Sequence, residues 1–121
     1  MQRDLVLRWI EQIALVVRRI LYGPGPRDLT LARQHVEHAT AQLLGPLALL
    51  VPRLEVPSAA ELLHDPERLL GLALLLDLEG AIAEAQGDAP GAARFRERAA
   101  GFRGAAAQQL DSPAPSPPRD A

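Results

Sequence analysis

Four places in this 121-residue chain bring side chains capable of chemistry close together. In His35-x-x-His38, two imidazoles at i and i+3 can share one metal ion, with Glu37 or His64-Asp65 completing the shell. The apolar stripe around them centres on Val36, which puts His35 at the stripe's edge and His38 on the opposite, solvated side. The two rings diverge and no His-Glu-x-x-His frame is present, so the pair reads as helix surface rather than a metal site. Asp77 and Glu84, seven residues apart amid leucines, have the spacing of a carboxylate pair for acid–base work. With Glu79 beside them they read instead as the wet side of a helix, Glu84 facing Arg94 or Arg98. Arg94, Arg96, Arg98 and Arg103 form a basic face that can touch phosphates, but Glu97 dilutes it and no aromatic side chain interleaves it. Arg3, Arg8, Trp9, Arg18 and Arg19 suit a helix lying on a membrane, yet the same apolar face is needed for a core. No residue is therefore assigned a catalytic, cofactor-binding or metal role, and the chain reads as a non-enzyme.

Composition narrows the classes further. Every basic side chain is Arg, so lysine Schiff-base and lysine–phosphate chemistry are excluded; GC-rich coding explains the absence of both Lys and Asn. Without cysteine there are no disulfides, thiolate nucleophiles or Cys-ligated metals. The net charge of −2 favours neither nucleic acid nor an anionic membrane as a partner. The longest apolar stretch, Leu69 to Leu76 with Gly71 counted in it, is too short to span a bilayer. Ile13 to Val17 lies between Glu11 and Arg18-Arg19 and lacks a following cleavage site, unlike a secretory signal. The expected compartment is a bacterial cytoplasm.

The elements that position these residues are helical. Leu and Ala supply 22 and 21 residues against 10 for Val and Ile together, which favours helices over strands. Arg3 to Leu21 carries Val6, Ile10, Ile13, Val17 and Ile20 on one face, widened by Trp9 and Val16, and Gly23-Pro24-Gly25-Pro26 stops it. Asp28 caps a second helix to Leu44, with the stripe Leu29, Ala32, Val36, Ala39, Leu43 and a stop at Gly45-Pro46. Pro46 to Pro57 is apolar but broken by prolines. A short turn at Leu47 to Val51 is expected there, with Leu49, Leu50 and Leu54 turned inward to close the core. Ser58-Ala59-Ala60-Glu61 matches a capping box opening a short helix through His64. Asp65-Pro66-Glu67 starts a helix to Gln86 whose leucines point in all directions, as in a central helix. A last helix, Pro90 to Leu110, sets Phe95, Ala99, Phe102, Ala106 and Leu110 on one face. The expected organisation is one all-α domain over residues 1–110, a small bundle of about four main helices, followed by a disordered Pro/Ser-rich tail over 111–121.

Gly87-Asp88 joins the last two helices. A left-handed glycine closes one helix and an aspartate caps the next, so the pair folds into an antiparallel hairpin with Gly80, Ala92 and Ala99 at the close approach. This hairpin resembles one tetratricopeptide repeat, with Gly80, Gly87, Asp88, Ala92 and Ala99 at the corresponding spacings. It departs at Glu79 (Leu in the repeat), at Leu76 (Trp) and at Phe95, one position before the usual aromatic; it covers about a quarter of the chain and does not recur. The opening, Gln2 to Gln12, resembles the start of a small bacterial all-helical family of uncharacterised proteins that ends in such a hairpin. The resemblance implies a fold and transfers no site. The expected function is a non-catalytic helical module that binds a protein partner through a leucine-rich face; the alternative is a structural or regulatory homodimer without a separate client.

Overall fold

Five α-helices follow one another in the computed structural model, which describes residues 3–111: α1 (Arg3–Tyr22), α2 (Leu29–Leu44), α3 (Val56–Leu63), α4 (Pro66–Ala85) and α5 (Ala89–Asp111). No strand occurs among the described residues, and the protein is an all-α bundle. The side chains of residues 3 and 4 and everything from residue 112 on lie outside the described residues. The expectations for Arg3 and for the Pro/Ser-rich tail fall there.

Around α4 the other four helices are arranged, and it buries residues on several sides: Leu69, Leu72, Ala73, Leu75, Leu78 and Ile82. Its start is the expected one. Asp65 accepts from the Glu67 backbone N–H at 3.0 Å, and Pro66 follows in the first turn, where its missing donor costs nothing. In α1 the fully buried line is Ile10, Ala14, Val17 and Leu21; Val6, Ile13, Ile20 and Trp9 flank it half-buried, and Val16 is exposed. In α2 the buried set is Ala32, Val36, Ala39, Leu43 and Leu44, and Asp28 Oδ1 accepts from the Leu31 N–H at 2.9 Å. Where α1 and α2 meet α4, Gly71 makes room: a Cβ there would stand 2.7 Å from Ile10 Cδ1 and 3.5 Å from Leu43 Cδ2.

Between α4 and α5 the chain reverses at Gly87, whose φ is +83°. The Gly87 N–H bonds to the Glu84 carbonyl at 3.0 Å and the Asp88 N–H to the Ala83 carbonyl at 2.8 Å, satisfying orphan carbonyls of α4. Asp88 Oδ1 then accepts from the Gly91 N–H at 2.9 Å and caps α5. Arg96 pairs with Glu84, and seven residues on along α5, Arg103 pairs with Asp77, seven residues back along α4; this register makes the hairpin antiparallel. At the crossing, a Cβ on Gly80 would lie 3.3 Å from the Ala92 carbonyl oxygen.

Residues 45–55 correct the reading of the proline-rich segment. Two 3₁₀ turns, Gly45–Leu47 and Val51–Arg53, each carry a proline at their start, Pro46 and Pro52. Leu49 is 85% exposed and Leu50 45%, so they do not turn inward; Val51 is buried instead. The inward positions are Leu47, Val51 and Leu54, spaced four and three apart, so the segment keeps one helical stripe although its turns are short. The capping box at Ser58 is also absent. Helix α3 begins at Val56 after Glu55, which makes no side-chain cap, and Pro57 supplies the start with its fixed φ. His64 ends α3 in the left-handed region, φ 47°, its N–H bonded to the Ala60 carbonyl at 2.8 Å.

Candidate functional site: a groove between α2 and α5

Helices α2 and α5 both pack on α4 but make no extensive contact with each other, which leaves a groove along α4. Leu72, Leu75, Leu76, Glu79 and Ala83 of α4 form its floor. One wall is Arg33, Glu37, Thr40 and Leu44 of α2; the other is Gly91, Arg94, Phe95 and Arg98 of α5. Val51 and Pro52 close one end, and Gln86 and Asp88 stand at the other.

The two ends differ in chemistry. A cavity of about 280 Å³ at the Val51 end is lined by leucines, Phe95 and Pro52. Next to it lies a cavity of about 470 Å³ lined mostly by charged groups, and Glu79, Phe95 and Arg98 border both. A further depression continues over Leu29, Thr30 and Gln34 of α2. The arrangement can receive an apolar side chain at one end and a charged one at the other.

Several of the groove's polar groups are already engaged. Arg33 donates to Gln86 Oε1 at 3.1 Å, while its Nε is buried without a hydrogen-bond partner. Arg98 donates to the Val51 carbonyl at 3.0 Å and lies 5.1 Å from the centre of the Phe102 ring, tying the proline-rich segment to α5. Asp88 is held by its cap on Gly91, and the Thr40 hydroxyl donates to the Val36 carbonyl at 2.8 Å. Burial pushes the Glu79 carboxyl above its ordinary value; Arg33 opposes the shift and Glu37 adds to it.

The residues singled out from sequence separate accordingly. Asp77 and Glu84 share a face as expected, but their partners are Arg103 and Arg96, each at 2.6 Å. Arg94 and Arg98 are not the partners of Glu84, because the register places them along the groove side of α5. Glu79 does not sit with Asp77 and Glu84 on one wet side. Two residues along a helix turn a side chain by about 200° from its neighbour, which aims Glu79 at α2. The four arginines of α5 therefore form no single basic face. Arg96 and Arg103 are spent on carboxylates, Arg98 on Val51, and Arg94 stands at the groove's outer lip.

His35 is half-buried and His38 exposed, on the two sides expected of them, and His64 is exposed in the joint after α3. No group of three or more His, Asp or Glu side chains poised to hold a metal ion occurs among the described residues. None of the helices described is long and apolar enough to cross a membrane. Arg33 is among the groove residues that the sequence does not mark, because it meets Gln86 across 53 positions, a contact with no local signature. Compared with known protein families, curated proteins and solved structures, the chain matches none.

Proposed function

We propose that this chain is a non-catalytic helical interaction module, working in a bacterial cytoplasm, that holds a protein partner in the groove between α2 and α5. The observation that carries this reading is the unequal covering of α4. The side toward α1 is shut, whereas Leu76 and Phe95 remain half-buried over an open cavity. A neighbouring helix or peptide segment seated there would cover the apolar surface that the bundle leaves bare. Nucleic acid and membrane are the less favoured partners, since the arginines of α5 are divided among carboxylates, a carbonyl and the groove lip. The tetratricopeptide-like hairpin is in keeping with such a role, because that repeat is a protein-binding unit.

The test is retention of a partner by affinity-tagged protein from the native host, comparing wild type with Leu76→Arg. Loss of a stoichiometric partner with Leu76→Arg, helix content being unchanged, is the expected result. A partner retained equally by both proteins would place binding elsewhere. A second reading, a homodimer without a separate client, is favoured by Leu5, Leu15 and Val16, which leave apolar surface exposed along α1. Light scattering on the purified chain decides between them: a monomer supports the groove reading and a tight dimer the second.

A further inference from the structure

We infer that residues 45–55 act as a strap that shuts the Val51 end of the groove, latched to α5 by Arg98, and that releasing it lengthens the groove's apolar floor. This rests on the groove reading and adds to it a device that sets how far the groove runs.

The segment hangs between two joints. At the first, Gly45 ends α2 with φ +55°, and nothing lies within 4 Å of where its Cβ would stand. At the second, Leu54 and Glu55 are extended, with ψ 150° and 157°, before α3 begins. Between the joints the backbone closes only i→i+3 bonds. The N–H groups of Ala48, Leu50, Arg53 and Leu54 reach the carbonyls of Gly45, Leu47, Leu50 and Val51 at 3.1, 3.1, 3.0 and 3.1 Å. Such bonds have poorer geometry than those of an α-helix, and Pro46 and Pro52 bring no donor of their own.

Little side-chain burial holds the segment down. Val51 is its one fully buried side chain; Leu47, Ala48 and Leu54 are half-buried, and Leu49 and Leu50 face solvent. A stretch with so few buried apolar contacts opens locally at less cost than the whole fold. What opposes opening is the bond from Arg98 to the Val51 carbonyl at 3.0 Å, strengthened by the charge of the donor. Behind the strap lie Leu44, Leu72 and Leu75, which line one cavity with Val51 and Pro52 yet are nearly inaccessible. Lifting Val51 uncovers them and opens the closed end. Arg98 also borders the charged cavity, so an occupant offering its guanidinium an acceptor there competes with the Val51 carbonyl. Filling the groove and lifting the strap are thereby coupled.

The experiment is amide hydrogen exchange on the full chain, read by NMR, with the neutral dye Nile red titrated in parallel. Wild type is compared with Arg98→Gln, which stays polar but is too short for the latch, with Arg98→Lys, and with the surface control Leu49→Ala. In wild type the amides of Ala48, Leu50, Arg53 and Leu54 should exchange faster than those of Leu75 and Leu78 in α4. Arg98→Gln should quicken the four about tenfold or more beyond any change in α4, and should raise Nile red binding. Arg98→Lys, which keeps a cationic donor, should restore much of the protection, and Leu49→Ala should change neither readout. Strap amides as slow as Leu78 in wild type, or unmoved by Arg98→Gln, would overturn the inference. Quicker exchange with unchanged dye binding would show a strap that moves without gating, and would overturn it too. Either result leaves the groove reading standing, since that reading fails separately, through a partner retained by Leu76→Arg. Should Arg98→Gln fail to fold, Val51→Ala, which trims the strap's buried anchor, takes its place in the exchange measurement.

Discussion

One helix, α4, has two very different sides, although leucines mark both. Toward α1 and α2 it presents Gly71, Leu78 and Ile82, all buried, and the approach is close enough that a Cβ on Gly71 would press on the end of the Ile10 side chain. Between α2 and α5 it presents Leu72, Leu76 and Glu79 beneath an open groove. Composition does not distinguish these sides. What distinguishes them is the neighbour: α1 lies directly on one, while α2 and α5 stand apart over the other. A small bundle has too few helices to cover a central one completely, and the bare sector falls where two neighbours diverge.

The sharpest way to break this comparison is to truncate one leucine on each side. Leu78, 2% exposed, should cost about 2–5 kcal/mol as Leu78→Ala, because its neighbours cannot collapse into the void. Leu76→Ala, at the half-buried edge of the groove, should cost on the order of 1 kcal/mol, since solvent already reaches the site. Equal losses in urea unfolding would mean that the groove is not open in solution.

A smaller effect tests the joint that sets α5 against the groove. Gly87 holds φ +83°, so Gly87→Val should destabilise by roughly 1 kcal/mol or more through backbone strain alone, with nothing near its Cβ position to clash. An unchanged melting temperature would show that the turn relaxes and that the position of α5 does not depend on it.

The smallest effect belongs to Glu79. Its folded-state carboxyl is raised above the ordinary 4.5, chiefly by burial, so the ionised form is the one that folding disfavours. Its neutral form contributes stability below that value, and this contribution is lost as pH rises through the raised folded value. Of the α2 groups that face it, Arg33 opposes the shift and Glu37 adds to it, and Arg98 of α5 lines the same groove. Glu79→Gln should therefore raise the melting temperature slightly at neutral pH, with the gain vanishing in acid. A gain that persisted unchanged in acid would point to packing rather than charge.

Much of the scaffold was legible residue by residue. The caps at Asp28, Asp65 and Asp88 act through neighbours two or three residues away, and Gly87 through its own φ, so spacing alone revealed them. The stripe of α2 was read correctly because periodicity of one helix against one core suffices. Where a proline-rich segment was involved, local rules competed. Ser58 and Pro57 each signal a helix start, and the proline prevailed; Leu49 and Leu50 have the hydrophobicity to point inward, yet the stripe Leu47, Val51, Leu54 fills that side.

From the sequence alone came the all-α class, the helix order, the antiparallel reversal at Gly87-Asp88 and the central place of α4, all consequences of periodicity and of chemistry within a few residues. The groove came only with the tertiary structure. Which arginine meets which carboxylate depends on the register of two helices. That Glu79 faces Glu37 and Arg33, rather than water beside Asp77, depends on where α2 is laid. A cavity is a space between elements, and its lining joins residues more than fifty positions apart, such as Arg33 and Gln86, whose proximity is decided by packing and left no mark on the local pattern.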